Sequence, residues 1–183
     1  MDLSKVSDKI TKVLVTEEQI DAKVAELAAQ IDVQYAGKDV LLVGVLKGAV
    51  MFMADLSRAI QIPVQMDWMA VSSYGSGTKS SGVVRILKDL DRDITGRNVL
   101  IVEDIVDTGI TMEKLFTLLS VEKPASLEIV TLLHKPEAFK GTHTPTYIGF
   151  SIPNKFVVGY GLDYNELGRN TEHIYQLKGE ESH

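Results

Sequence analysis

The residues best suited to chemistry are three closely spaced carboxylates, Glu103, Asp104 and Asp107, followed at once by small residues in segment 108–111. An ionised carboxylate accepts two hydrogen bonds, so paired acids suit the vicinal hydroxyls of a ribose. Backbone N–H groups at the start of a helix suit a phosphate, because the helix dipole is positive there. We therefore predict a site for a phosphorylated sugar, with ribose on Glu103 and Asp104 and phosphate on residues 108–111. Asp107 is left as a candidate acid or base.

A buried strand and a helix must position these groups. The aliphatic run 99–102 has no polar member, which is typical of a strand buried on both faces of a parallel sheet. We expect the acids in a turn after this strand, where open α/β sheets bind ligands, and Thr108, Gly109 and Thr111 in the first helical turn. The alternative is an ordinary turn with Asp or Thr as N-cap, although one cap explains only one acid. Apolar residues then follow at helical spacing: Met112, Leu115, Phe116 and Leu119.

The stretch Glu103-Asp-Ile-Val-Asp-Thr-Gly-Ile-Thr111 resembles the phosphoribosyl-pyrophosphate motif of type I phosphoribosyltransferases. From about residue 16 to residue 169 the chain resembles the bacterial hypoxanthine-guanine group of that family. The resemblance implies an α/β fold: a mostly parallel twisted sheet flanked by helices, a small hood formed by the terminal segments, and a flexible lid loop. It implies one domain over 1–183, with a core at about 16–150 and a hood from the N-terminal residues and about 151–178.

The resemblance also implies a purine salvage enzyme that transfers 5-phosphoribosyl from phosphoribosyl pyrophosphate to N9 of hypoxanthine or guanine. The products would be IMP or GMP and pyrophosphate, and Mg²⁺ would be the cofactor. Asp107 would be the catalytic residue and would manage the purine proton near N7. The implied phosphoribosyl-pyrophosphate site comprises Lys47, Gly48, Glu103, Asp104, Asp107, Thr108, Gly109, Ile110, Thr111 and Arg169.

Lys47 and Gly48 follow a second all-apolar run, Val40–Leu46. Glycine lets the backbone approach a ligand closely, and a strained peptide is unsurprising at such a point. The resemblance gives these two residues a contact with pyrophosphate, often made through a cis peptide. From the dipeptide alone, a solvent-facing lysine before a helix is equally compatible.

Lys135 follows the apolar run 127–133 and stands 28 positions after Asp107, at the same predicted edge of the sheet. A lysine ammonium donates to the 6-oxo group of a purine but meets the amino group of adenine donor to donor. The resemblance assigns Lys135 this reading role. From the residues alone, Lys135 fits a surface position.

A second signature of the resemblance spans residues 154–169. Phe156 would stack on the purine, the Val157 carbonyl would receive the 2-amino group of guanine, and Arg169 would contact pyrophosphate. Asp163 would bind Mg²⁺ on pyrophosphate. The ordinary alternatives are a core phenylalanine, a turn-forming aspartate and a solvated arginine. The implied purine-binding set is Lys135, Phe156, Val157 and Asp163, and the implied metal set is Asp163, Glu103 and Asp104.

Segment 72–82 is rich in Gly and Ser and is flanked by predicted strands, so it is either a long hairpin loop or a lid. Ser73 and Tyr74 match the start of the family's lid. Two positions depart from the family pattern: Ile110 stands where some relatives have a basic residue, and Gly168 replaces a bulkier residue.

Other segments read as follows. A capping box at Thr16 opens one helix, and a second helix carries Met51, Phe52, Leu56 and Ile60. Further strands are predicted at Ile10–Val15, 64–71, 83–87, 147–152, 156–160 and Ile174–Leu177.

Composition limits the function classes. A net charge of −6 argues against a broad nucleic-acid surface, and no apolar run approaches the ~20 residues of a membrane span. The absence of cysteine excludes disulfides and thiol catalysis and suits a cytoplasmic protein. The resemblance implies a homodimer or homotetramer. Two alternatives stay open: a nucleotide-sensing, RNA-binding regulator with this fold, and an enzyme that prefers xanthine.

Overall fold

The computed structural model describes residues 4–74 and 83–179. Along the chain the elements are α1 (Ser4–Ser7), β1 (Ile10–Val15), α2 (Glu17–Gln34), β2 (Val40–Leu46), α3 (Val50–Ala59), β3 (Val64–Tyr74), β4 (Val83–Lys88), β5 (Asn98–Val106), α4 (Ile110–Ser120), β6 (Ser126–His134), β7 (Tyr147–Ser151), β8 (Val157–Val158) and β9 (Ile174–Leu177).

In the described residues, six strands form one sheet in the order β4-β3-β2-β5-β6-β7. All neighbours in it are parallel except β3 and β4, which pair antiparallel. This arrangement confirms the predicted mostly parallel α/β sheet. Parallel strands are buried on both faces when helices cover both, which is why β2 and residues 99–102 of β5 have no polar side chain.

The alternation of side chains along β5 divides the core into two layers. Leu100 and Val102 pack with α2 and α3 on one face, whereas Val99 and Ile101 pack with α4 on the other. The capping box predicted at Thr16 is present at the start of α2. The helices thus cover both faces of the sheet and leave the carboxyl ends of its parallel strands along one edge.

A second, three-stranded sheet in the described residues has the order β1-β9-β8. It joins both ends of the chain, since β1 pairs with β9 and β9 with β8, all antiparallel. This sheet corresponds to the hood in the predicted fold. The predicted strand 156–160 is shorter than expected because Gly159, Tyr160 and Gly161 adopt positive φ values of 113°, 49° and 98°.

The strand after α3 is longer than predicted. Residues 72–74, which were expected to begin the lid, belong to β3, where Ser73 pairs with Val84 of β4. Antiparallel pairing outweighs the weak strand preference of serine in this segment. The rest of the predicted lid, residues 75–82, lies outside the described residues. Helix α1 was not predicted.

Candidate functional site

The two adjacent acids lie inside a strand, so the prediction that they follow it in a turn is wrong. β5 continues to Val106, and Glu103 pairs with Thr131 of β6. The polar side chains suggested a strand end, but β6 pairs with β5 beyond them. Although side chains alternate along a strand, the carboxyl groups of Glu103 and Asp104 stay close enough to hydrogen-bond to each other.

The turn after β5 is short and tight. We call residues 107–111 the phosphate turn. Helix α4 begins at Ile110, so Thr108 and Gly109 precede the helix, contrary to the prediction that they lie in its first turn. Gly109 is the N-cap, with φ of 84°, so the alternative in which Asp or Thr caps the helix is wrong. Glycine adopts this conformation without a steric penalty.

A cavity of about 190 Å³ opens at the phosphate turn and is lined by Glu103 and residues 105–112. The Ile110 amide lies 3.4 Å from Thr108 Oγ1. The side chain of Ile110 is 40% exposed, so it adds an apolar group at the rim rather than a cation. Contacts with an anion at this turn must therefore come from backbone amides and hydroxyls.

Burial is the largest influence on the pKa values of Glu103 and Asp104. It raises the pKa of Glu103 well above the ordinary value, and the charge of neighbouring Asp104 raises it further. Burial also raises the pKa of Asp104, although the Ile105 amide and the charge of Arg169 act in the opposite direction. The Ile105 amide donates to Asp104 Oδ1 over 2.8 Å. Hydroxyl donors or a cation from a ligand would stabilise the ionised pair.

Two glycines bring two loops against Asp104. A Cβ added at Gly48 would lie 1.9 Å from Asp104 Oδ2, and one added at Gly161 would lie 2.1 Å from the Gly48 carbonyl oxygen. The peptide bond between Leu46 and Lys47 is cis, which agrees with the cis peptide that the resemblance implied at this loop. The β2–α3 loop, β5 and the loop after β8 therefore meet at one point.

Cationic side chains collect at the same point. Arg169 Nη1 donates to the Gly161 carbonyl over 2.7 Å, and its Nη2 lies 3.2 Å from Asp163 Oδ1. Glu166, which sequence reasoning missed, lies 2.9 Å from Lys47 Nζ and 3.5 Å from Arg169 Nη2. The hydrogen bond from Lys47 and the charges of Lys47 and Arg169 lower the pKa of Glu166. The available signal in the sequence was an acidic residue three positions before Arg169. The contact with Lys47 had no such signal, because the fold brings Lys47 near Glu166.

Lys135 is fully buried, so the surface position considered for it is wrong. Its Nζ lies 3.0 Å from Asp107 Oδ2, and its backbone amide donates to the Val106 carbonyl. A fully buried lysine requires a charged or hydrogen-bonding partner. The structure thus brings together the two residues predicted to handle the purine's 6-oxo group and its proton.

Val157 begins β8 of the second sheet, and Phe156 directly precedes that strand. The half-buried Phe156 ring meets Tyr164 edge to face at 5.8 Å, and Val157 is fully buried. Gly168 has φ of 93°, and a Cβ there would lie 2.6 Å from Val158 Cγ2, so this departure from the family pattern suits the local backbone.

The donor chemistry fits Mg²⁺. Among residues 4–74 and 83–179, no three His, Cys, Asp or Glu side chains are grouped to hold a metal. Mg²⁺ needs fewer, because it commonly binds one or two carboxylates together with substrate phosphates and water. Asp163 beside the cations, and Glu103 with Asp104, supply such carboxylates. In the described part of the chain, no helix is long and apolar enough to span a membrane.

Comparison with known proteins agrees with this geometry. Residues 13–165 match the family described as the phosphoribosyl transferase domain. The chain is 58% identical to a hypoxanthine-guanine phosphoribosyltransferase of Mycobacterium avium, over 92% of this chain and 86% of that protein. It is 50% identical to one from Bacillus subtilis, over 92% and 94%. A crystal structure of a hypoxanthine phosphoribosyltransferase from Staphylococcus aureus superposes with a TM-score of 0.91 at 48% identity, covering 95% of each chain.

Proposed function

Because this chain belongs to the phosphoribosyltransferase family, in its hypoxanthine-guanine group, we propose that it makes purine nucleotides by salvage. It transfers 5-phosphoribosyl from phosphoribosyl pyrophosphate to N9 of hypoxanthine or guanine and releases pyrophosphate. The observation that carries this proposal is the meeting of Asp104, Gly48 and Arg169 at the sheet edge where Asp107 pairs with Lys135.

The acids and the phosphate turn hold the sugar in this proposal. Glu103 and Asp104 accept hydrogen bonds from the ribose hydroxyls, and the amides and hydroxyls of residues 108–111 donate to the 5-phosphate. The positive end of α4 adds to this attraction. Both anchors fix the anomeric carbon, which reduces the entropy lost in reaching the transition state.

Breakage of the anomeric C–O bond leaves negative charge on pyrophosphate and positive charge on the ribose ring. Lys47, the Gly48 backbone and Arg169 stabilise the leaving group, and the carboxylates stabilise the ribose cation. Displacement of Glu166 from Lys47 and Arg169 frees both cations for pyrophosphate. Bound Mg²⁺, held by Asp163 or by Glu103 and Asp104, supplies further neutralisation of the pyrophosphate charge.

The purine is read and deprotonated on the other side of the sugar. Lys135 donates to the 6-oxo group, Phe156 stacks on the ring, and the Val157 carbonyl receives the 2-amino group of guanine. Asp107 accepts the proton near N7 as the bond from N9 to the anomeric carbon forms. Such acid–base help contributes about 10²–10⁴-fold to the rate.

Compartment and assembly complete the proposal. A chain without cysteine suits the reducing cytoplasm, where we place the enzyme. We further propose that it assembles as a homodimer or homotetramer; sedimentation of the purified protein tests this assembly. A monomer at working concentration would contradict it.

The direct test is nucleotide formation followed by ultraviolet absorbance, with phosphoribosyl pyrophosphate, Mg²⁺ and one purine at a time. We expect turnover with hypoxanthine and guanine and none with adenine, because Lys135 opposes the adenine amino group. Xanthine differs from hypoxanthine and guanine at the 2-position. A faster turnover with xanthine than with these two purines would favour the xanthine-preferring alternative. A folded enzyme that makes no nucleotide from any purine would refute the proposed function.

A further inference from the structure

The connection between β6 and β7, residues 135–146, lies directly against the phosphate turn. Its amides donate on both sides of Asp107: Lys135 N to the Val106 carbonyl over 3.0 Å and Lys140 N to the Thr108 carbonyl over 2.9 Å. The ring of Phe139 covers Gly109 so closely that an added Cβ would lie 2.6 Å from its Cε2. The position of the β6–β7 connection therefore determines the shape of the turn.

Glu113, in the first turn of α4, holds the β6–β7 connection in place. Its Oε1 accepts from the amides of Thr142 and His143 over 2.6 and 2.5 Å, and its Oε2 lies 3.1 Å from Thr142 Oγ1 and 2.6 Å from His143 Nδ1. The Phe116 ring, one helical turn further, stacks on the His143 ring at 4.0 Å. Both carboxylate oxygens are thus used to fix one loop.

These contacts close a ring around the phosphate turn. Glu113 N donates to the Gly109 carbonyl over 2.9 Å, so the residue is tied to the turn by its backbone and to the β6–β7 connection by its side chain. The connection returns to the turn through Lys140 and Thr108. We propose that Glu113 is a positioning residue that shapes the phosphate turn for the substrate's 5-phosphate. This role rests on the proposed function.

The charge of Glu113 argues that it is there for anchoring. An anionic side chain in the first turn of α4 repels a phosphate bound at the start of that helix. Burial opposes ionisation, but hydrogen bonds from His143 and Thr142 outweigh it and lower the pKa of Glu113 to about 2. Loss of the charge and loss of the anchor therefore have opposite effects on phosphate affinity, and variants can separate them.

The experiment compares steady-state kinetics of wild type, Glu113→Ala and Glu113→Gln. Alanine removes both the charge and the anchor, whereas glutamine removes the charge but keeps a carbonyl oxygen that reaches the Thr142 and His143 amides. The matched control is Glu128→Ala, which loses a hydrogen bond from Tyr35. Glu128 pairs with Leu100, three residues before Glu103, toward the opposite end of the strands from the phosphate turn.

We expect Glu113→Ala to raise KM for phosphoribosyl pyrophosphate about tenfold, well within the ~100-fold loss that a small misplacement of binding groups can cause. KM for hypoxanthine should stay within about twofold, because Lys135 is held by its own bonds to Val106 and Asp107 rather than by Glu113. Glu113→Gln should restore most of the lost affinity. Glu128→Ala should lower the melting temperature and leave both KM values unchanged.

Three results would overturn the role: no change in KM with Glu113→Ala, equal changes in the alanine and glutamine variants, or an equal rise in KM with Glu128→Ala. A drop in melting temperature shared by Glu113→Ala and Glu128→Ala, without a KM effect, would make Glu113 merely structural. A wild-type enzyme without turnover would refute the proposed function instead, so the two failures are distinguishable.

Discussion

Lys135 shows how much a single residue depends on its surroundings. Its side chain is completely removed from solvent, and its ammonium has Asp107 as a partner at 3.0 Å. Removal of one partner from a buried ion pair leaves an uncompensated charge. The roles that we propose for Lys135 in substrate selection and for Asp107 in proton transfer are therefore tied to local stability through one ion pair.

Lys135→Gln tests the selection role. The glutamine carbonyl accepts from the adenine amino group, which lysine cannot do, so we expect the hypoxanthine-to-adenine ratio of kcat/KM to fall by at least about tenfold. KM for phosphoribosyl pyrophosphate should change little. Lys38→Gln, at an exposed lysine before β2, is the control and should preserve the ratio. A Lys135→Gln enzyme with unaltered base preference would remove Lys135 from the purine site.

At the level of elements, the site depends on two loops that meet each other and strand β5 without space between them. Gly48 touches the Asp104 carboxylate, and Gly161 touches the Gly48 carbonyl. A Cβ added at either glycine would lie about 2 Å from an oxygen atom, which is closer than a real Cβ can approach. The loops can meet only because both positions lack a side chain, so the pyrophosphate side of the site is sensitive to a single methyl group.

Gly48→Ala should therefore displace Asp104 and the β2–α3 loop. We expect kcat/KM for phosphoribosyl pyrophosphate to fall about 10²-fold, as misplaced binding groups cost up to this amount. Gly37→Ala is the control, because the added Cβ has open space around it. Its φ of 74° is strained for alanine, so we expect this variant to lose stability but to keep normal kinetics. Normal kinetics in Gly48→Ala would show that the loop contact is not needed for substrate binding.

The sequence located these elements well but not their ends. Apolar runs identified β2, β5 and β6 because strands buried on both faces leave no polar positions. Glu103 and Asp104 broke that pattern and suggested a turn, although pairing with β6 carries the strand past them. Contacts such as Lys47 with Glu166, 119 positions apart, depend on how loops meet and leave no local signal.

Considered as a whole molecule, the enzyme gives up stability to keep two acids at the centre of its sheet. Burial raises the folded-state pKa of Glu103 above its unfolded value of about 4.3. The cost of ionising Glu103 is therefore absent below the unfolded pKa and grows as the pH rises through the interval up to the folded pKa. Functional sites often carry such costs.

Glu103→Gln should raise the melting temperature at pH 7 and lower affinity for phosphoribosyl pyrophosphate. In a chain of this size each kcal/mol corresponds to about 2–4 °C, and we expect a gain of that order. The gain should vanish as the pH falls well below the unfolded pKa, where wild-type Glu103 is protonated in both states. Glu122→Gln, at an exposed site, should show no gain. A less stable Glu103→Gln protein at pH 7 would contradict this account of the buried acids.

In the proposed mechanism, Asp107 acts on the purine proton while its neighbours hold the phosphoribosyl group. The decisive measurement compares kcat with the dissociation constant for phosphoribosyl pyrophosphate in Asp107→Asn, which keeps the shape of the side chain. We predict a loss of about 10²–10⁴-fold in kcat with binding within about threefold of wild type. Equal losses in kcat and in binding would show that Asp107 only holds the sugar and would contradict the mechanism.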